Sequence, residues 1–173
     1  MHAMIKRGEL PEPDDDATAQ KYQLADRVLG DAGYDWYEIS NFARTPADRS
    51  VHNLAYWRDW DWWGYGPGAH SHVGRQRWWN VKHPLAYAGR LRAGLSPGHQ
   101  GEALIPEDRH TERVMLGIRT REGLDAAGFD ASTLVRLQGE GLLDPGTLAE
   151  GRAVLTLHGR LLADFVTREL LGW

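Results

Sequence analysis

The first regular pattern along the chain is a helical one. Apolar residues recur at three- and four-residue spacing, which predicts a helix over 17–32 with Asp16 as its N-cap and Gly33 as its C-terminal stop. The apolar stripe consists of Tyr22, Ala25, Val28, Leu29 and Ala32. The preceding stretch, 8–16, contains two prolines and is expected to be extended and acidic.

A short strand is predicted next, over the aromatic and β-branched run WYEIS at 36–40. A helix followed after one turn by a strand is half of a βαβ unit. The strand that should precede the helix is missing, so the pattern predicts a parallel sheet cut open at Met1 and an unpaired edge on 36–40. Residues 43–51 are expected to be a loop.

The middle of the chain combines aromatic residues with glycines. HNLAYW at 52–57 is followed by an acidic-aromatic run and then by Gly64, Gly66 and Gly68, which interrupt any regular element. Two short runs, 69–73 and 76–80, predict a hairpin that turns at Gly74-Arg75. After them, Pro84 is well placed as the first residue of a helix to Arg92, closed by Gly94.

The last part of the chain is predicted to be a separate small unit. We interpret 95–105 as a linker and 106–173 as a unit with helices over 107–118 and 131–138. A short strand, AVLTL, and a final apolar helix follow. Helix, helix, short β-segment and helix resemble a winged-helix arrangement.

Composition restricts the function classes. The chain has 173 residues with a net charge of −4, and the tail from Leu104 carries eight arginines against eleven acidic residues. No basic face is evident, which disfavours a nucleic-acid-binding module. No apolar run reaches about 18 residues, and the first twenty residues are polar. We therefore expect a cytoplasmic protein.

Two residue counts stand out. Cysteine is absent, so these residues alone offer no disulfide, no thiolate nucleophile and no cysteine-ligated iron–sulfur cluster. Eight tryptophans are present, six of them between Trp57 and Trp79. They fit either a core that uses indoles or an aromatic wall beside a planar ligand.

Three motifs, in their order and spacing, resemble one family. They are WYEISNFAR at 36–44, HNLAYW at 52–57 and GYGPGAHS at 64–71, with further likeness in GELPEPDDD at 8–16 and LTLHGRLLADFV at 155–166. The chain resembles the C-terminal portion of the HemW-like, oxygen-independent coproporphyrinogen III oxidase-like radical SAM proteins. HNxxYW after YEISN is specific, whereas the glycine motif alone is weak.

The resemblance implies an α/β fold. Residues 1–94 would be the last elements of a partial radical SAM (β/α) barrel, 95–105 a linker, and 106–173 a small winged-helix-like C-terminal domain. Family members carry an upstream Cys-x3-Cys-x2-Cys loop for a [4Fe–4S] cluster that coordinates S-adenosylmethionine. Because this chain has no cysteine, we expect no radical generation by it alone. Its partners would be haem or another tetrapyrrole, the missing N-terminal half, or a haem-accepting protein.

His52 is the candidate haem-iron ligand, because it matches the family's motif histidine and haem iron accepts a neutral imidazole. Asn53, Tyr56 and Trp57 complete the candidate haem site. The alternative is that HNLAYW is a buried structural turn in which His52 and Asn53 bond to backbone groups.

The resemblance also implies contact between S-adenosylmethionine and Gly66, Gly68 and Ala69, where small residues let the backbone approach a nucleoside. The alternative is an ordinary strand-to-turn junction. With the cluster absent, the affinity for this cofactor should be poor.

Three further groups of residues have weaker interpretations. His70 and His72 with His52 would make a three-imidazole metal site, which we disfavour because no carboxylate-rich partner stands nearby. Four basic residues either meet propionates or are solvated charges: Arg58, Arg75, Arg77 and Lys82. Three polar residues form no base–nucleophile pair, so no catalytic residue is assigned: Glu38, Ser40 and Asn41.

Three functions therefore compete. The first is a piece of a HemW-like protein that binds haem as a chaperone in tetrapyrrole metabolism. The second is a piece of a coproporphyrinogen III oxidase, an enzyme of porphyrin biosynthesis that performs oxidative decarboxylation. The third, a winged-helix nucleic-acid-binding module, is disfavoured by charge.

Overall fold

The structure of the chain is a computed structural model that describes residues 2–8, 11 and 14–173. Its helices are α1 His2–Lys6, α2 Asp15–Asp31, α3 Val51–Trp57, α4 Pro84–Arg92, α5 Pro106–Gly117, α6 Ala131–Gly139, α7 Pro145–Ala149, α8 Leu157–Leu161 and α9 Ala163–Leu171. Its strands are β1 Asp35–Glu38, β2 Asn41–Ala43, β3 His70–Val73, β4 Gln76–Asn80, β5 Gly98–Ala103, β6 Leu124–Asp125 and β7 Arg152–Ala153. Met1 and residues 9, 10, 12 and 13 of the predicted extended stretch at 8–16 lie outside the described residues. At the end of that stretch the prediction was wrong, because Asp15 and Asp16 already belong to α2.

The helix α2 forms where the apolar spacing predicts it, with a different cap. Asp14 is the N-cap, and its side chain accepts a hydrogen bond from the Ala17 amide at 3.0 Å. The prediction of Asp16 as the cap was wrong, because Asp16 lies in the first helical turn, where its charge faces the positive end of the helix dipole. Gly33, with φ of 79°, follows the helix end as predicted.

The strand β1 is paired, contrary to the predicted open parallel sheet. It runs antiparallel to β2, with Trp36 opposite Phe42. The Glu38 carboxylate closes the turn, since it accepts hydrogen bonds from the amide of Ser40 at 3.0 Å and from the Asn41 side chain. A two-residue reversal brings β2 back as the antiparallel partner, and on the other edge of β1 the Arg121 amide donates to the Tyr37 carbonyl at 3.0 Å.

A three-stranded antiparallel sheet in the order β3-β4-β5 forms the middle of the molecule. The predicted hairpin is confirmed, with Val73 paired to Gln76 across the turn at Gly74, whose φ is 63°. The predicted linker at 95–105 instead contains β5, which pairs with β4 from Gln76↔Ala103 to Asn80↔Gly98. The division of the chain into domains at this stretch stays a prediction.

The segment from α5 onwards contains the main hydrophobic core. The predicted helices appear as α5 and α6, while α7 and the short antiparallel pair β6–β7 are additional and the final helix is divided into α8 and α9. Nine buried residues form the core: Ile118, Leu134, Leu137, Leu142, Leu143, Ala153, Leu155, Ala163 and Val166. A smaller cluster of Tyr37, Ala43 and Leu54 lies beneath α3.

One buried arginine connects α8, near the C-terminal end of the sequence, to α2 and β1, near its N-terminal end. Arg160 of α8 donates hydrogen bonds to the Asp26 carboxylate at 2.7 Å and to the Tyr22 hydroxyl at 3.1 Å, both on α2. Its guanidinium also lies 4.5 Å from the ring centroid of Trp36. Burial raises the pKa of Tyr22 above its usual value.

Over the described part of the chain, none of the helices is long and apolar enough to cross a membrane.

Candidate functional site

The motif HNLAYW forms the helix α3, which is capped and anchored by its neighbours. The Ser50 hydroxyl accepts a hydrogen bond from the Asn53 amide at 3.2 Å, and Leu54 is buried in the cluster with Tyr37 and Ala43. One side of α3 is therefore fixed to the β1–β2 hairpin. The other sides are left to carry the polar and aromatic residues of the motif.

His52 and Tyr56 lie four residues apart, which places them on one stripe of α3. Their ring centroids are 5.0 Å apart in an edge-to-face arrangement, and both side chains are exposed. The His52 imidazole makes no hydrogen bond or ion pair with any described residue. This differs from the alternative of a buried structural turn and leaves the ring nitrogens accessible.

Asn53 and Trp57 form the neighbouring stripe of the same helix. Both are half-buried, and within the described ranges the Asn53 side-chain amide has no hydrogen-bond partner. Trp57 lines a cavity between the end of α3 and α5. The four predicted site residues thus divide into two adjacent pairs, of which His52 and Tyr56 are the more exposed.

A series of ring contacts continues from Tyr56 into the interior. Tyr56 meets Trp62 at 4.9 Å between centroids, and Trp62 meets His72 at 4.8 Å, both edge-to-face. Trp62 and His72 also exchange two backbone hydrogen bonds, of 2.7 and 2.9 Å. Part of the predicted aromatic wall is therefore a packed column that links the exposed His52 to the buried His72.

The residues at the inner end of this column were not predicted from the sequence as part of the site. His72 is 1% exposed, and its Nδ1 lies 3.5 Å from Oδ1 of Asp59. Asp59 has a φ of 55°, the one positive value among non-glycine residues that the structure describes. Its other carboxylate oxygen pairs with Arg109 of α5 at 3.1 Å. The signal in the sequence was the acidic-aromatic run after HNLAYW, which places a carboxylate just beyond the helix.

Other aromatic residues of this segment, two tryptophans and one tyrosine, are exposed. Trp60, Trp63 and Tyr65 leave 47%, 59% and 84% of their surface exposed. Trp63 packs edge-to-face on Trp78 at 4.9 Å, and the two indoles line an open groove of about 500 Å³ along β5. The cluster is thus only partly used for packing, and it presents flat apolar surfaces to solvent.

The glycine loop has an internal explanation for its small residues. The amides of Gly66, Gly68 and Ala69 donate to the Tyr87 hydroxyl, the Val81 carbonyl and the Gly66 carbonyl, respectively. Gly66 and Gly68 have φ of 105° and 69°, which glycine adopts without strain. The predicted contact with S-adenosylmethionine stays a prediction, and these three amides are already occupied within the loop.

The buried side chain of Asn80 holds the glycine loop through hydrogen bonds to its backbone. It is 4% exposed, and its side-chain amide donates to the carbonyls of Gly64 and Gly66 at 3.3 and 3.0 Å. The Ser71 hydroxyl accepts from the Gly64 amide at 2.9 Å. A Cβ on Gly64 would lie 2.0 Å from the His70 carbonyl oxygen, so this position requires glycine.

Most of the basic residues considered for propionates already have partners. Arg77 binds the Glu112 carboxylate through Nη2 at 2.7 and 2.8 Å, and Arg75 donates to the Leu104 carbonyl at 3.1 Å. Arg58 makes a two-point contact with Glu122, which holds the pKa of that carboxyl below its usual range. Lys82 is exposed.

The three histidines considered as a metal site are not equivalent. His70 is exposed and stacks on Trp79 at 5.5 Å, whereas His72 is buried against Trp62. Across the described residues, no group of three histidine or acidic side chains has the arrangement of a metal site. In the β1–β2 turn, the Glu38 carboxylate accepts hydrogen bonds from the Ser40 backbone amide and from the Asn41 side chain.

The chain is similar in sequence to several known proteins, and those reported below are named as haem chaperones or as a radical S-adenosyl methionine domain-containing protein. No family model matches the chain. It is 47% identical over 171 residues to the haem chaperone HemW of Mycobacterium tuberculosis, covering 97% of this chain and 43% of the relative. It is 28% identical to the haem chaperone HemW of Bacillus subtilis, over 98% of this chain and 46% of that protein. A mouse mitochondrial radical S-adenosyl methionine domain-containing protein 1 is 49% identical over 126 residues, 70% of this chain and 24% of its own.

A solved structure shows the same fold. Coproporphyrinogen III oxidase (HemN) from Escherichia coli, described as a radical SAM enzyme, superposes with a TM-score of 0.61 at 21% identity. The match covers 86% of this chain and 39% of the oxidase. The α/β fold expected from the sequence is confirmed by this likeness. The chain spans less than half the length of the curated relatives it matches.

Proposed function

Because the chain is similar over nearly all its length to the C-terminal part of the HemW-like radical SAM proteins, we propose that it binds haem through His52. The role would be that of a haem chaperone, which holds haem as cargo for transfer to an acceptor. The relatives named haem chaperone give the class of ligand, and α3 supplies the residues.

The observation that carries the proposal is the state of the His52 side chain. Its imidazole is exposed and has no hydrogen-bond partner in the described part of the chain, so no competing bond has to be broken before a nitrogen binds iron. Its ring packs against Tyr56, whose other neighbour is Trp62. The His52 nitrogens are thus accessible to a ligand, and the imidazole ring packs against Tyr56, which itself packs against Trp62.

The residues around His52 have distinct tasks in this account. Haem iron accepts a neutral imidazole nitrogen as an axial ligand. Tyr56 restricts rotation of the imidazole through its ring edge. The free side-chain amide of Asn53, one residue further along α3, can donate to or accept from a polar group of the cargo.

The cofactors of radical SAM proteins are not part of this proposal. The chain has no cysteine, so it offers no thiolate for a [4Fe–4S] cluster. The amides of Gly66, Gly68 and Ala69 are used inside the loop, so a contact of these residues with S-adenosylmethionine stays a prediction that would rest on close backbone approach. No step of the proposed function depends on either group.

Coproporphyrinogen oxidation is the second candidate function. We favour haem binding over it because of the identities of the relatives. The relative named haem chaperone is 47% identical, whereas the likeness to the oxidase, at 21% identity, concerns the fold alone. A haem-accepting protein and a separate cluster-bearing chain remain the predicted partners. The cytoplasmic location also remains a prediction.

The test is a haem titration followed by the Soret absorption band. The wild-type chain should bind one haem, and His52→Ala should weaken binding at least tenfold, as expected for loss of an axial ligand. The matched control is His70→Ala, which removes another exposed histidine that stacks on Trp79. Equal affinity of the wild type and His52→Ala would overturn the proposal.

A further inference from the structure

A cavity of about 360 Å³ lies between the end of α3, one side of α5 from Arg109 to Gly117, and the β6–β7 pair. It is distinct from the exposed stripe of His52 and Tyr56, although Trp57 of α3 forms part of its wall. Its charged lining consists of four arginines and two carboxylates: Arg58, Arg109, Arg113, Arg152, Asp59 and Glu122. Pockets of this size are typical of sites for small ligands.

The two carboxylates of the lining are each matched by an arginine. Arg58 contacts both oxygens of Glu122, and Arg109 pairs with Asp59 at 3.1 Å. Two guanidinium groups then remain without a carboxylate partner in the cavity. The lining therefore carries an excess of two positive charges.

The first of these two groups, Arg152, lies near the Glu122 carboxylate but makes its hydrogen bonds to backbone carbonyls, which hold it in a fixed orientation. Its Nε donates to the Glu122 carbonyl at 3.0 Å, and its Nη2 donates to the carbonyl of Gly123 at 2.7 Å. These neutral acceptors fix the guanidinium plane without cancelling its charge. Gly123 makes this possible, since a Cβ there would lie 2.2 Å from the Ala153 carbonyl oxygen.

The second group, Arg113, has no partner at all among the residues described. It lies on α5 one turn after Arg109 and is exposed at the mouth of the cavity. A planar guanidinium presents paired donors that match the two oxygens of a carboxylate or phosphate. An unpaired guanidinium beside a fixed one is the donor arrangement that an oxyanion needs.

We propose that this cavity binds an oxyanionic group of a ligand, a carboxylate or a phosphate, with Arg113 and Arg152 as its principal cationic contacts. The bound group neutralises the charge excess that the lining leaves. Asp59 and Glu122 hold Arg109 and Arg58 through ion pairs, and both carboxylates form part of the cavity wall. The proposal does not depend on haem binding by His52.

The direct test titrates the chain with inorganic phosphate and, separately, with glutarate. The reporter is the indole N–H signal of Trp57 in the NMR spectrum, assigned with Trp57→Phe. A saturable shift is expected with at least one anion, and Arg113→Gln should weaken it about tenfold or more. The matched control Arg92→Gln, an exposed arginine at the end of α4, should bind like the wild type. No saturable shift, or equal affinity in Arg113→Gln, would overturn the proposal.

A second arm identifies the source of the anion. If haem propionates supply it, Arg113→Gln should weaken haem binding but leave the binding of haem dimethyl ester unchanged. If another ligand supplies it, haem binding should be insensitive to Arg113→Gln while phosphate binding is weakened. Because the anion titration involves no iron, its failure is separate from a failure of His52 as a haem ligand.

Discussion

Arg109 donates to Oδ2 of Asp59 at 3.1 Å, and this ion pair joins the end of α3 to α5. The same aspartate lies 3.5 Å from the buried His72 through its other oxygen. The backbone of Asp59 is in the left-handed conformation, just beyond the helix that carries His52. Its single carboxylate therefore connects that helix to His72 of β3 and to Arg109 of α5. The helix that carries His52 is thus held at its C-terminal end by Asp59 and along its buried side by Leu54, which packs with Tyr37 and Ala43.

We expect Asp59→Asn to lower the free energy of unfolding by about 1 kcal/mol, because a charge-assisted hydrogen bond is lost at a site that is mostly shielded from water. Asparagine tolerates the left-handed conformation, so the change reports on charge rather than on backbone strain. Urea denaturation of Asp59→Asn, Arg109→Gln and the double variant measures the coupling. Strictly additive effects would show that the pair contributes nothing.

We expect Asn80→Ala to cost about 1–3 kcal/mol of stability, because it removes the buried donor to the carbonyls of Gly64 and Gly66. Asn80→Asp should cost more, since a carboxylate cannot donate to these oxygens. Asn53→Ala is the matched control, because its side chain has no partner within the described residues. Chemical denaturation checks all three, and equal stability of Asn80→Ala and Asn53→Ala would contradict the account.

Local patterns predicted the elements whose signals lie close together in the sequence. The helix α4 begins at Pro84, and the hairpin of β3 and β4 turns at Gly74, because proline and glycine fix the backbone at those positions. The helix α3 was recognised only as a motif. Its seven residues are too few for helical spacing to be distinctive.

Tertiary pairing was not predictable in the same way. The strand β5, with the sequence GHQGEA, contains no β-branched or aromatic residue and becomes a strand because β4 offers it an open edge. The ion pair of Asp59 with Arg109 joins residues 50 positions apart, and no local spacing indicates it. The exposed His52 could be identified from its motif, but the charged cavity beside Trp57 required the fold.

The stability of the chain should fall in acid partly through Glu122. Its pKa is lowered from 4.5, chiefly by the hydrogen bond from Arg58. A carboxyl whose pKa is lower in the folded state stabilises the fold above its unfolded pKa, and loses that contribution as pH falls through the folded pKa.

The wild type should therefore be more stable than Glu122→Gln near neutral pH, by less than about 1 kcal/mol because the pair is partly exposed. The difference should shrink as pH falls below the ordinary carboxyl pKa of 4.5. Thermal or urea unfolding at several pH values checks this. A difference that stays constant from neutral to acid pH would show that the ion pair does not account for it.

Tyr56 should matter to haem binding through its ring rather than its hydroxyl group. Its ring packs on His52 at 5.0 Å, and such aromatic contacts contribute about 0.5–1.5 kcal/mol. Tyr56→Ala should therefore weaken haem binding several-fold, whereas Tyr56→Phe should bind like the wild type. Titration by the Soret band distinguishes the two, and an equal loss in both variants would assign the effect to the hydroxyl instead.

The central claim is that the imidazole of His52 ligates haem iron, and chemical rescue tests it most directly. His52→Gly should lose the Soret spectrum of the wild-type complex, and added free imidazole should restore that spectrum in the variant. The Tyr56 ring, which remains in place, provides the surface on which the added imidazole can rest. A wild-type spectrum in His52→Gly without imidazole would contradict the claim and place the ligand elsewhere.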